Sequence, residues 1–274
     1  MMTLPIYVIN LDRSTDRQRF MARQMASLGL SFSFIAAVDG RALDLGDPSV
    51  VTKSAVADGR LAQGNAVAGA VGCSLSHSKA YEAILQTRAT AAVILEDDAS
   101  LPLDSAILLH ALAQSMPAEV PSVVLLSFSA LGAGHKGLRV SSTGIELPGQ
   151  RELFEIKDVV RARLTTAYFI TRSACQLMLP LTRPVSAAAD DWHYFVQQGA
   201  LHKLYCVSPM PAWPAQRFRS TMDVFQPGSL QATFRTLANA TPVIGHALSL
   251  RRAGAQRRIL GITGKVQVVP CREQ

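Results

Sequence analysis

The chain has 274 residues, 49% of them hydrophobic and 17% charged, which suits a folded protein with a substantial core and excludes a disordered one. No apolar run approaches the ~20 residues a membrane-spanning helix needs, and the four cysteines (Cys73, Cys175, Cys206, Cys271) include no C-x-x-C pair, so neither a zinc framework nor a disulfide scaffold is expected. The charge is uneven: residues 1–216 hold 18 basic and 18 acidic side chains, whereas 217–274 hold nine basic and two acidic, so the whole net charge of +7 lies in the tail. Such a tail suits an anionic partner: membrane lipid, a lipid-linked sugar phosphate or nucleic acid.

Taken in order, "PIYVINL" (5–11) reads as a buried strand and, lacking a basic residue ahead of it, not as a signal peptide; a cytoplasmic location is the expectation. A helix follows over 12–29, with Thr15 and Gln18 at capping-box spacing and Gly29 as its stop. "FSFIAAVDG" (32–40) is a second strand. Residues 41–72, scattered with glycines, read as loop, and 74–88 as a helix capped by Ser74. Strands are expected at 91–95, 122–128, 165–171 and 203–209, and helices at 173–181 and 190–199. The alternation predicts an α/β fold with a mainly parallel sheet over 1–216, followed by a basic extension over 217–274.

The strand at 91–95 runs into Glu96, Asp97 and Asp98. Three adjacent carboxylates repel one another, and the edge of a core strand adds a desolvation cost. In open α/β sheets, ligands bind beyond the carboxyl ends of the strands, and hard oxygen donors there suit Mg²⁺ or Mn²⁺. The other reading is a solvated acidic turn. No G-x-x-x-x-G-K-[ST] phosphate loop occurs, so a bound diphosphate would depend on the metal.

The ordered segments "YVINLDRSTDR", "GAVGCSLSHSKAYEAIL", "AVILEDDA", "TTAYFITRSA" and "DDWHYFV…LYCVSPMPAWPAQ" resemble glycosyltransferase family 25, which includes bacterial lipooligosaccharide galactosyltransferases and procollagen galactosyltransferases. The resemblance implies a GT-A-type nucleotide-diphospho-sugar transferase fold. Its D-x-D-like motif would hold Mn²⁺ (or Mg²⁺) and a UDP-sugar, usually UDP-galactose. Glu96 and Asp98 are then the expected metal ligands.

Asn10, Arg13, Arg17, Asp39, Ser76, His77 and Asp97 are the expected donor-binding residues. Arg13 and Arg17 follow the first strand and suit a diphosphate or a base, or else a solvated helix start. Asp39 either accepts from ribose hydroxyls or only forms an Asp-Gly turn. Ser76 and His77 match a Ser-His pair of the family. Asp191, with Asp190 beside it, matches a family Asp and is the expected catalytic base; Asp190 fits the N-cap of the following helix, and Trp192 a sugar platform. His193 and His202 are possible further metal ligands or structural residues.

The expected reaction is an inverting transfer of a hexose, galactose by preference, from UDP to a lipooligosaccharide- or lipopolysaccharide-type acceptor. The Arg251-Arg252 and Arg257-Arg258 pairs, interleaved with Leu248, Leu250, Ile259 and Leu260, suit peripheral contact with an anionic membrane, and the lack of aromatic residues among them argues against nucleic acid. The alternatives are a sugar nucleotidyltransferase, which ordinarily wants a phosphate loop, and a non-catalytic module for an anionic ligand.

Overall fold

The computed structural model describes residues 4–58, 60–61, 66–131, 137–215, 218 and 266–270. Its central feature is an eight-stranded sheet. The first strand, β1 (Ile6–Asn10), is buried throughout, as a central strand covered on both faces must be. Helix α1 (Thr15–Ser27) returns over it and buries Arg17, Met21 and Met25, spaced four apart on one stripe. The capping box expected from Thr15 is absent: Ser14 is the N-cap and makes no side-chain cap bond. Gly29, at φ +63°, does supply the left-handed stop.

After β2 (Ser33–Ala36) come a short α2 (Lys53–Ala57) and a long α3 (Ala66–Leu85). The stretch expected to be loop therefore contains the first two turns of α3, and Ser74 lies inside that helix with its hydroxyl donating to the Ala187 carbonyl at 3.2 Å. The glycines that disguise this helix have a packing reason. A Cβ on Gly72 would lie 2.7 Å from the Gly40 nitrogen, and one on Gly40 only 1.8 Å from the Ala68 oxygen. Helix and loop touch backbone to backbone, a contact only glycine permits.

The remaining elements are β3 (Ala91–Glu96), β4 (Ala99–Ser100), α4 (Ser105–Ser115), β5 (Ser122–Leu125), β6 (Ser129–Ala130), β7 (Gly137–Ser141), β8 (Ile145–Leu147), β9 (Arg151–Glu155), β10 (Ala162–Arg163), β11 (Ala167–Thr171), α5 (Arg172–Met178), α6 (Trp192–Gln197), β12 (Lys203–Ser208), β13 (Trp213–Pro214) and β14 (Val266–Pro270). The main sheet has the order β2-β1-β3-β11-β5-β12-β9-β8. The β1–β2, β1–β3 and β5–β12 pairs are parallel, and β11 and β9 run against their neighbours. Six of the eight strands thus share one direction, which agrees with the expected α/β class and mainly parallel sheet.

Alternate residues of the strands feed two cores. On one face Tyr7, Ile9, Ile94 and Tyr168 pack with Tyr81 and Ile84 of α3, Cys175 of α5 and Trp192 of α6. On the other Val8, Val93, Leu95 and Phe169 meet Met21 and Met25 of α1 and Leu108 and Leu112 of α4. Part of the C-terminal extension is tied to this body: β14 pairs antiparallel with β7, and Val269 is buried in the first core. The Arg251-Arg252 and Arg257-Arg258 pairs lie outside the described residues. Among the described residues no helix is long and apolar enough to cross a membrane.

Candidate active site

The parallel strands bring their carboxyl ends to one edge. Ile9 is in register with Glu96 across β1 and β3, and Asn10 with Ala36 across β1 and β2. Because β11 is reversed, its entry, Thr165 and Thr166, arrives at the same edge, where the Glu96 N–H donates to the Thr166 carbonyl at 2.9 Å. The chain beyond the acidic triplet is pinned: the Ala215 N–H donates to the Asp98 carbonyl at 2.7 Å, and Gln24 bridges the Ala99 carbonyl and the Leu101 N–H.

The three carboxylates have different surroundings. Asp97 is buried and bound on both oxygens, by Arg17 Nη1 at 2.5 Å and by Asn10 Nδ2 at 2.8 Å. Asp98 Oδ2 lies 3.3 Å from the same guanidinium, while its Oδ1 is buried without a hydrogen-bond partner among the described residues. Burial, then the charge of Glu96, pushes the Asp98 carboxyl up to about 7, against the pull of Arg17. For Glu96 burial again opposes ionisation, yet His77, Thr165 and Arg17 together hold it below the ordinary carboxylate range. Thr165 Oγ1 donates to Glu96 Oε1 at 2.6 Å.

Arg17 carries its charge in this buried place because Asp97, Asp98 and Asp16 favour it, and the Phe218 ring lies 5.2 Å from its guanidinium carbon. The structure therefore gathers Asn10, Arg17, Glu96, Asp97, Asp98 and His77 at one strand edge. Arg13 and Asp39 form a separate, more exposed group with Arg41, whose Nη2 lies 2.8 Å from Asp39 Oδ2; Asp39 also accepts from the Arg41 N–H. Hydrogen bonds from Arg41 hold the Asp39 carboxyl well below its usual range.

Ser76 is occupied by the fold. Its hydroxyl donates to the Gly72 carbonyl at 2.6 Å and accepts from the Val38 N–H at 2.8 Å, tying α3 to the end of β2. His77 is buried, with Nδ1 2.7 Å from the Tyr168 hydroxyl; its Nε2 has no hydrogen-bond partner and lies 3.8 Å from Glu96 Oε1.

At α6 two details differ from expectation. The N-cap is Asp191, whose side chain accepts from the Tyr194 N–H at 3.3 Å, not Asp190. Asp190 instead accepts from the Leu164 N–H at 3.2 Å, and burial, with a contribution from Glu96, raises its pKa. Leu164 takes a φ of 89°, a region few non-glycine residues enter, in the turn that delivers Thr165 to Glu96. Trp192 is no sugar platform. It is wholly buried and packs edge-on against Tyr168 at 5.4 Å, since α6 needs an apolar anchor in the first core. Neither His193 nor His202 joins a group of three potential metal ligands among the described residues; the group found there is Cys73, His77 and Glu96. Cys73 and Thr165 are the site-lining residues that sequence reasoning missed.

Residues 3–131 match the family model described as glycosyltransferase family 25 (LPS biosynthesis protein). A stretch of 96 residues is 35% identical to a glycosyltransferase 25 family member from Aedes aegypti. Residues 3–131 are thus similar to glycosyltransferase family 25. The matched segment contains β1, α1, α3 and the acidic triplet. The Aedes aegypti match spans 34% of this chain but only 16% of that relative's length. Among solved structures, a glycosyltransferase involved in glycosylation of the major capsid of PBCV-1 is similar at 11% identity and a TM-score of 0.30, over 65% of each chain. A Bacillus anthracis protein described as a glucose-1-phosphate thymidylyltransferase is similar at 12% identity and a TM-score of 0.36, over 94% of this chain and 78% of that one. Neither likeness bears on the chemistry of this site.

Proposed function

We propose that this chain is an inverting glycosyltransferase of the GT-A type that moves a hexose, galactose the first candidate, from a UDP-sugar to a hydroxyl of a lipopolysaccharide-type glycan. The observation that carries the reading is Asp98 Oδ1: a buried carboxylate oxygen without a hydrogen-bond partner, beside Glu96, at the carboxyl edge of a mainly parallel sheet. A buried acceptor left bare is costly, and a hard divalent cation relieves both its isolation and the repulsion from Glu96. Glu96 and Asp98 would hold Mn²⁺ or Mg²⁺, which when bound supplies charge neutralisation to a leaving diphosphate.

The rest is the work of the chain's own residues. Asp97, saturated by Asn10 and Arg17, acts as a strut that fixes the turn between Glu96 and Asp98. Arg17, held at this edge by two carboxylates, would supply positive potential near the departing diphosphate. Arg13, Arg41 and Asp39 form a more exposed polar group suited to the nucleoside part of the donor.

For the base that takes the acceptor proton, Asp190 is favoured over Asp191. The Asp191 carboxylate is engaged in capping α6, whereas Asp190 lies within range of the Glu96 charge and has a raised pKa, which strengthens a carboxylate as a base. The basic tail would hold the enzyme at an anionic membrane where a lipid-linked acceptor resides.

Calorimetric titration with UDP tests the metal site. Binding is expected with Mn²⁺, to be lost on chelation and in Asp98→Ala. Equal UDP affinity with and without the cation would sink the assignment of Glu96 and Asp98 as metal ligands.

A further inference from the structure

His77 and Glu96 face each other at the carboxyl edge of the sheet, Nε2 3.8 Å from Oε1. The Tyr168 hydroxyl lies 2.7 Å from His77 Nδ1 and 3.3 Å from the Tyr81 oxygen, and in the tautomer protonated at Nδ1 it accepts from the imidazole. In that tautomer Nε2 keeps a lone pair; it is buried and has no hydrogen-bond partner among the described residues. Two acceptors then face each other, and a cation between them would relieve both. Cys73 is the third member. It lies four residues before His77 on α3, hence on the same helix face, and its sulfur, Nε2 and a Glu96 oxygen all lie within 4.8 Å of one another.

A tetrahedral zinc ion with bonds of about 2.3 Å to sulfur and about 2.0–2.2 Å to nitrogen and oxygen sets its ligand atoms about 3.4–3.6 Å apart. Small side-chain rotations close the difference. The supporting contacts are those metal sites use: Tyr168 behind the histidine and Thr165 on the carboxylate. Glu96 is part-exposed, so the ion has a path from solvent and a fourth position for water.

We propose that Cys73, His77 and Glu96 form a site for a thiophilic divalent cation, Zn²⁺ by preference. Sulfur and imidazole select against Mg²⁺, so this site differs in kind from the all-oxygen pair of Glu96 and Asp98. Because Glu96 belongs to both, zinc here takes away one ligand of the proposed Mn²⁺ or Mg²⁺ site. The proposal does not need the transfer reaction to be correct; it needs only this geometry.

Cobalt(II) is the probe, titrated into the full-length reduced protein. One equivalent should produce a thiolate-to-cobalt charge-transfer band in the near ultraviolet and intense tetrahedral bands in the visible, both displaced by Zn²⁺. Cys73→Ser should abolish the charge-transfer band and weaken cobalt binding by more than roughly tenfold, the scale lost even when only a ligand's supporting partner is removed. Cys175→Ser should leave both unchanged.

Zinc-edge X-ray absorption on the parent protein needs no variant to fold, and should show one sulfur at about 2.3 Å. A full-strength band in Cys73→Ser, or only nitrogen and oxygen neighbours at zinc, overturns the proposal and leaves a proton as what joins His77 to Glu96. Mn²⁺-dependent UDP binding, measured on the same samples, separates the two readings. Its presence without a sulfur-bound metal defeats the zinc site alone, and its absence beside one defeats the transferase reading alone.

Discussion

Replacing Arg17 with methionine removes a cationic partner shared by two buried carboxylates while keeping most of the side chain's bulk. The Arg17, Asp97 and Asp98 side chains are 9%, 10% and 16% exposed, so water cannot readily take over from the guanidinium. Breaking a buried pair from one side typically costs ~3–5 kcal/mol. For a domain of this size about 2–4 °C of Tm follows each kcal/mol, so a fall of about 6–20 °C is expected.

The pH dependence has a definite sign. Arg17 restrains the Asp98 pKa, already pushed up to about 7, and its loss sends that value higher. A carboxyl with a pKa raised above its unfolded value of about 3.9 costs stability increasingly as pH rises toward the folded value. In the parent this penalty levels off above pH 7; in Arg17→Met it continues to grow. The difference in Tm between parent and variant, read by calorimetry across a pH series, should therefore be smallest near pH 5 and largest above pH 8. A difference under about 2 °C, unchanged with pH, would refute the view that Arg17 is the structural counter-charge of the acidic turn.

The two aspartates before α6 separate by their effects: Asp190→Asn should cut transfer by ~10²–10⁴-fold with little change in Tm, while Asp191→Ala should cost about 1 kcal/mol of stability through the lost N-cap. Kinetics and thermal melts on both variants decide it; full activity in Asp190→Asn removes that residue as base. Gly72→Ala should destabilise by about 1–3 kcal/mol in a denaturant melt, since its Cβ meets the backbone of Gly40 at 2.7 Å; a neutral result would mean that α3 and residues 38–40 can part at no cost. Serine at Arg251, Arg252, Arg257 and Arg258 together, which leaves β14 intact, should weaken binding to anionic vesicles by up to about 4 kcal/mol at low salt and less at high salt; co-sedimentation at equal strength would remove the membrane role.

The central strands were legible because burial on both faces leaves an unbroken apolar run: "IYVIN" and "AAVIL" have no other good place to go. The reversal of β11 was not. "AYFIT" reads the same in either direction, and only its partners β3 and β5 fix its sense. The first turns of α3 were hidden by Gly69 and Gly72, ordinarily loop residues. Gly72 is there because the loop at 38–40 presses its backbone onto the helix, a tertiary demand with no local signature.

That misplaced helix start also explains what was missed at the site. With the helix taken to begin at Ser74, Cys73 fell outside it, and its spacing to His77 carried no meaning. Once α3 begins at Ala66, positions 73 and 77 share a face, and a thiol that looked incidental stands beside an unpartnered imidazole nitrogen. The acidic triplet was visible from the start because charge at a strand end is anomalous in the sequence itself. How its three members divide the work was not visible. Asn10 and Arg17, 87 and 80 residues away from Asp97, claim both oxygens of the middle carboxylate, and nothing in the local sequence signals that. The same separation applies at α6, where adjacent aspartates of one type part in function because Asp191 caps the helix and the Leu164 N–H, from a turn of positive φ, turns Asp190 to a different partner.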